Sequence, residues 1–115
     1  MRLLVCGGRD YDNKDLMRRI LQQFYGGIDV LIHGAAKGAD MLANETFQEL
    51  NDFANIEPYP ANWTTYGKSA GPIRNRQMLE EGKPDLVLAF PGGKGTRDMI
   101  NQAKKAGIPV LQVLE

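Results

Sequence analysis

The chain has 115 residues, with fourteen basic and fourteen acidic side chains, one cysteine and one histidine. That length supports one domain with a real core but not a second. Zero net charge argues against non-specific duplex binding, and a lone cysteine excludes an internal disulfide. With no apolar run near the ~20 residues of a membrane span, no signal peptide ahead of the first strand and no Cys/His cluster, the expectation is a cytoplasmic, membrane-free protein without metal or cofactor.

From the amino terminus, Arg2–Cys6 reads as a buried strand, with Gly7-Gly8-Arg9-Asp10-Tyr11 at its carboxyl end. Asp12 or Asn13 then caps a helix whose apolar residues Leu16, Met17, Ile20, Leu21 and Phe24 recur at helical spacing, and Gly26-Gly27 ends it. Asp29–His33 is a second strand, followed by the turn Gly34-Ala35-Ala36-Lys37-Gly38 and a helix over Ala39–Leu50. A third strand around Ile56–Tyr59 leads into an irregular segment from Pro60 to Gly71, long enough to suggest a lid. Pro72 suits the first turn of a third helix over Ile73–Glu81. Asp85–Phe90 is a fourth strand, Pro91–Thr96 a turn, and Arg97–Gly107 a fourth helix with Thr96 as its N-cap. Pro109–Val113 is a fifth strand.

Strands that alternate with helices and lack a period-two polar pattern predict a parallel sheet covered on both faces. Right-handed crossovers make residues 1–115 a single Rossmann-like α/β domain with about five strands in the order 3-2-1-4-5. In that order the first and fourth strands are neighbours, and the direction of the crossovers reverses between them. Ligands settle at such a point, beyond the carboxyl ends of the strands. The glycine turns after strands one, two and four converge there.

Gly92, Gly93 and Gly95, with Lys94 and Thr96, form a glycine-rich turn at a helix N-terminus, where free backbone N–H groups favour an anion. The spacing is that of neither a P-loop nor a dinucleotide fingerprint. Gly7 and Gly8 leave room for a ligand, Arg9 can grip a phosphate as a planar fork, and Asp10 can meet a ribose hydroxyl. Gly34 and Gly38 permit close backbone approach, and Lys37 adds a mobile cation. Asp40 sits in the first turn of a helix, where the dipole favours a carboxylate in any case. His33 is either a proton carrier or a hydrogen-bonded structural imidazole, and Cys6 reads as a small buried hydrophobe. In the long segment, Trp63 or Tyr66 can stack on a base while Lys68, Arg74 and Asn75 lie towards phosphate. Arg76 belongs to a different helix face from Arg74.

Four segments together carry a resemblance: Cys6-Gly-Gly-Arg9-Asp10-Tyr11, His33-Gly-Ala-Ala-Lys-Gly-Ala-Asp40, Trp63 to Asn75, and Ala89-Phe-Pro-Gly-Gly-Lys-Gly-Thr96. In this order they resemble the YspA-like branch of the SLOG superfamily, which also holds the lonely-guy phosphoribohydrolases and the DNA-processing protein DprA. The resemblance implies a nucleotide-binding domain and, because dimers are common among the enzymes, a homo-oligomer. The lonely-guy turn reads Pro-Gly-Gly-x-Gly-Thr-x-x-Glu, with the glutamate in the active site; here Met99 stands in its place. The catalytic carry-over therefore fails at this residue, and gain of activity in Met99→Glu would show that the cleft binds substrate and lacks only the acid. Asp98, about 100° away around the helix, is expected to face elsewhere.

The leading expectation is therefore a domain that binds a nucleotide or nucleotide derivative, as a sensor or sequestering module. An N-glycosidase is the alternative, with Asp40 and then Asp10 as the carboxylates that would carry the reaction. Single-stranded DNA binding of the DprA type is a third reading, which the balanced charge disfavours.

Overall fold

The computed structural model describes residues 1–24 and 26–114. Five strands, β1 (Arg2–Cys6), β2 (Val30–His33), β3 (Ile56–Pro58), β4 (Leu86–Ala89) and β5 (Val110–Gln112), alternate with five helices. The helices are α1 (Lys14–Gln23), α2 (Ala39–Leu50), α3 (Trp63–Tyr66), α4 (Ala70–Gly82) and α5 (Lys94–Lys105). All strand pairs are parallel, and the order is β3-β2-β1-β4-β5, as the alternation of elements predicts. Among the described residues no helix is long and apolar enough to cross a membrane.

The strands are apolar on both faces because each face has its own core. Leu3, Val5, Leu31 and Leu88 pack against Met17 and Leu21 of α1 and Ala43 and Phe47 of α2. The intervening residues, Leu4, Ile32, Val87 and Ala89, pack against Met78 and Leu79 of α4 and Met99 and Ala103 of α5. Successive residues of a strand point to opposite faces, so a four-residue strand serves both layers. In a sheet built this way the loops that leave β1, β2 and β4 gather at its carboxyl edge.

Two elements depart from the sequence expectation. The helix after β4 starts at Lys94, with Gly93 as an N-cap that offers no side-chain hydrogen bond. Thr96 is thus the third residue of that helix rather than its cap, and it is buried. The segment from Pro60 to Gly71 is not irregular throughout: it holds α3 and a 3-10 turn over Gly67–Ser69, and α4 begins at Ala70 instead of Ile73. Asn62 supports α3 by accepting from the Thr65 N–H at 3.0 Å. Pro72 falls in the first turn of α4, where the missing N–H has no intrahelical partner to lose.

Candidate functional site

The loops after β1, β2 and β4 are bonded directly to one another at the carboxyl edge of the sheet. Gly8 N donates to Pro91 O at 2.9 Å, and Ala39 N donates to Gly8 O at 3.1 Å. Most motif glycines serve this junction. A Cβ on Gly7 would lie 2.6 Å from the Ala39 Cβ, and one on Gly8 would lie 3.0 Å from Pro91 O. Gly38 has φ +77, and its Cβ would lie 2.6 Å from the Arg9 carbonyl. Gly92 would meet Gly8 N at 2.7 Å and also the Thr96 hydroxyl, which lies over it. These residues are glycine so that chain can pack on chain. Gly93 and Gly95 differ: a Cβ on either has nothing within 4 Å. They form the open part of the turn, where an incoming group can reach backbone.

Arg74 crosses this edge from α4. Its Nη1 donates to Gly34 O at 2.5 Å and its Nε donates to Asn75 Oδ1 at 3.0 Å. Gly34 makes room for the guanidinium, since a Cβ there would stand 2.7 Å from Arg74 Cζ. Burial lowers the Arg74 pKa, and the nearby Arg9 charge lowers it further, against the pull of Asp40. No carboxylate among the described residues comes within ion-pair distance of Arg74. Arg76, by contrast, is exposed and pairs with Glu80 at 2.8 Å on another face of α4.

Asp40 is buried beneath this arginine. Its Oδ2 accepts from Gly34 N at 3.0 Å and Ala36 N at 3.2 Å, so it ties the β2 turn to the start of α2. Burial raises its pKa, only partly offset by those N–H groups and by the charges of His33 and Arg74. His33 is also buried: Nδ1 accepts from Ala35 N at 2.9 Å, so Nε2 carries the proton toward Asn44 Oδ1 at 2.8 Å. It is a structural imidazole with both nitrogens engaged. Cys6, at the end of β1, has its thiol pushed up to about 12 by burial and then by Asp40, which leaves it no thiolate to react with.

Asn75 joins the two sides. Its Nδ2 donates to Gly95 O at 3.2 Å and to Asp98 Oδ2 at 3.0 Å. Gln102 donates to the same Asp98 oxygen at 2.8 Å. Asp98 therefore faces the Arg74–Asn75 pair, contrary to the expectation that it points elsewhere. Met99 corrects the carry-over as well: it is fully buried against the core beneath α4, not in the cleft. The spacing Met99–Ala103 for the apolar stripe and Asp98–Gln102 for the polar one is the signal in the sequence that separates these two faces.

The remaining candidates ring the edge. Arg9 is exposed, with its Cζ 5.3 Å from the centroid of Trp63. Lys37, Lys68 and Lys94 are exposed cations on the β2 turn, the 3-10 turn and the start of α5. Asp10 lines a separate open cavity of about 310 Å³ with Arg9, Asp12, Met41 and Glu45, on the α2 side of the β1 loop. Asp10 and Asp40 are thus not brought together as a carboxylate pair: one is exposed on the outer side of the loop and the other is buried within it. A second cavity, of about 240 Å³, lies among Leu21, Ile28 and Phe47, away from this edge.

The sequence profile of the YspA, cpYpsA-related SLOG family matches residues 1–66. The chain belongs to that family. The matched stretch takes in the β1 and β2 turns and Trp63 and stops short of Arg74. The Gene 61 protein of Mycobacterium phage D29 is 36% identical over 119 aligned residues, covering 96% of this chain and 94% of the phage protein. Among solved structures, the C-terminal domain of a Pyrococcus furiosus hydrogenase superposes with a TM-score of 0.56 at 17% identity, over 97% of this chain and 90% of that domain. Similarity at that level speaks for the fold alone. This SLOG-family chain therefore has a nucleotide-related Rossmann-like fold.

Proposed function

We propose that this chain binds a nucleotide or nucleotide derivative, with a phosphate held between the open Gly93–Gly95 turn and Arg74, and acts as a sensing or sequestering domain. The observation that carries this is Arg74. Its guanidinium is half-buried and donates to a carbonyl and an amide oxygen, without a carboxylate at ion-pair distance among the described residues. A charge taken out of water without a directly paired counter-charge is costly. A phosphate would supply the counter-charge through charge-assisted bonds, which are roughly twice as strong as neutral ones. Arg74 is linked through Asn75 to the carbonyl of Gly95, which supports an anion shared by the arginine and the helix N-terminus.

The test is calorimetry of the wild type and Arg74→Gln against nucleoside mono- and diphosphates, NAD and ADP-ribose. At least one of these is expected to bind the wild type, with affinity falling tenfold or more in the variant, about 1.4 kcal/mol or above. Binding to none of them, or equal binding by both proteins, would remove the phosphate from Arg74.

Cleavage of the glycosidic bond would fall to Asp40, the buried acid whose pKa burial raises above the ordinary aspartate value. One of its oxygens is already committed to two backbone N–H groups, so binding without turnover is the reading the geometry favours. Base release by the wild type and its loss in Asp40→Asn would reverse that order.

A further inference from the structure

Trp63 is the one tryptophan of the chain, and at 48% exposure it is a large ring left half in solvent. It is nonetheless firmly placed. The Asn62 side chain caps the start of α3, and Gly67, with φ +55, ends it in a conformation other residues rarely adopt. The ring lies close to the first turn of α4, where a Cβ on Gly71 would stand in ordinary contact with Trp63 Cη2 at 3.5 Å. That helix is the one that carries Arg74.

What lies on the ring is Arg9, and it is loosely held. Arg9 is exposed and has no ion pair among the described residues, and its guanidinium lies 5.3 Å from the ring centroid. Its loop is bonded through Gly8 to Pro91, beside the open glycine turn. Arg9 and Arg74 carry like charge at the same edge, and after burial the Arg9 charge is what lowers the Arg74 pKa. An anion between them removes that repulsion and offers Arg9 a planar, charge-assisted partner, stronger than an exposed contact with an aromatic face.

Resting on the nucleotide reading above, we propose that Trp63 is the seat of a planar heteroaromatic ring, the ligand's base. Arg9 covers that seat until a phosphate draws it off. Phosphate binding and base stacking are then coupled through one side chain, and the site favours nucleotides over both free phosphate and free base.

The sole tryptophan makes the exchange directly visible. Wild type, Arg9→Gln, Trp63→Ala and Trp63→Phe are titrated with the four common nucleoside monophosphates and with ribose 5-phosphate, following calorimetry throughout and tryptophan emission in the first two. At least one nucleoside monophosphate is expected to change Trp63 emission saturably, with a midpoint matching the calorimetric Kd. Trp63→Ala is expected to weaken that nucleotide by about fivefold or more, leave ribose 5-phosphate unchanged and be largely rescued by Trp63→Phe. Arg9→Gln should weaken both probes. If nucleotide binding is weakened by Arg74→Gln but untouched by Trp63→Ala, the base seat falls and the phosphate site stands. If no nucleoside monophosphate binds the wild type, the base seat falls, and the phosphate site is judged by the diphosphates, NAD and ADP-ribose.

Discussion

Arg74 lies directly on Gly34: its Nη1 donates to the Gly34 carbonyl at 2.5 Å, and the absent Cβ of that glycine leaves the space its guanidinium occupies. The glycine of the β2 turn and the arginine of α4 are forty residues apart and only make sense together. The glycine-rich turns are thus of two kinds, those that let chain pack on chain and those that leave a polar group accessible.

That division predicts opposite outcomes for two alanines in one turn. Gly34→Ala meets only the mobile end of Arg74, so it is expected to change stability by no more than about 1 kcal/mol while displacing the guanidinium and lowering nucleotide affinity about tenfold. Gly38→Ala has φ +77 and backbone atoms of Gly8 and Arg9 in its way, so it is expected to cost about 3 kcal/mol or more in unfolding free energy. Denaturant melts paired with calorimetry separate the two. Equal stability loss in both variants would put Gly34 among the packing glycines.

At Gly95 stability and binding should move in opposite directions. It lies in the first turn of α5 with nothing near its missing Cβ. Alanine in a helix is favoured over glycine by up to about 1 kcal/mol. Gly95→Ala is therefore expected to raise Tm by a few degrees while weakening the ligand, because the methyl group enters the space left to the phosphate. Gly95→Val should abolish binding with the fold intact. Unchanged affinity in both variants would take the phosphate off this turn.

Asp40 sets a dependence on pH. Its folded pKa is raised above the ordinary aspartate value of 3.8, chiefly by burial. The stabilising form is then the protonated acid: its contribution is complete below that ordinary value and is lost as pH rises through the raised one. Asparagine keeps an oxygen for Gly34 N and Ala36 N without the charge. Asp40→Asn is expected to match or exceed the wild type in stability at neutral pH, with the difference shrinking to nothing by about pH 3.5. A variant clearly less stable at neutral pH would show that the carboxylate charge itself supports the fold, through Arg74 or His33.

The sheet was legible in the sequence because its information is local: Leu3-Leu4-Val5 and Leu86-Val87-Leu88 are apolar on both sides, and each is followed by a helix. The bounds of α2 could be read to the residue for the same reason. What a glycine is for could not, because the answer at Gly7, Gly38 or Gly92 lies in another loop that composition does not bring near. α3 was hidden too: Trp-Thr-Thr-Tyr favours no helix by itself and is held by a cap at Asn62 and by α4. The face of α5 that meets the cleft was misjudged at Asp98 and Met99, since a motif aligns residues without saying which way the helix is turned.

Met99 therefore gives the last prediction. It is fully exposed to the core and not at all to solvent, among Leu4, Met78, Val87 and Ala103. Restoring the glutamate of the lonely-guy motif would place an acid in that apolar layer, which costs several kcal/mol whether the acid stays neutral or drags water with it. Met99→Glu is expected to unfold at least 10 °C or so below the wild type, or to fail to fold, without gaining base release from any nucleoside monophosphate. Met99→Leu conserves volume and should cost less than about 1.5 kcal/mol, which separates loss of polarity match from loss of shape. The measurements are thermal melts of both variants and chromatographic base release by the soluble one. A Met99→Glu protein with wild-type Tm and new hydrolytic activity would mean that position 99 turns to the cleft after all. Asp98, on the neighbouring face of α5, is already bound by Asn75 and Gln102, and Asp98→Asn, which keeps an acceptor for both, is expected to fold normally and retain nucleotide binding.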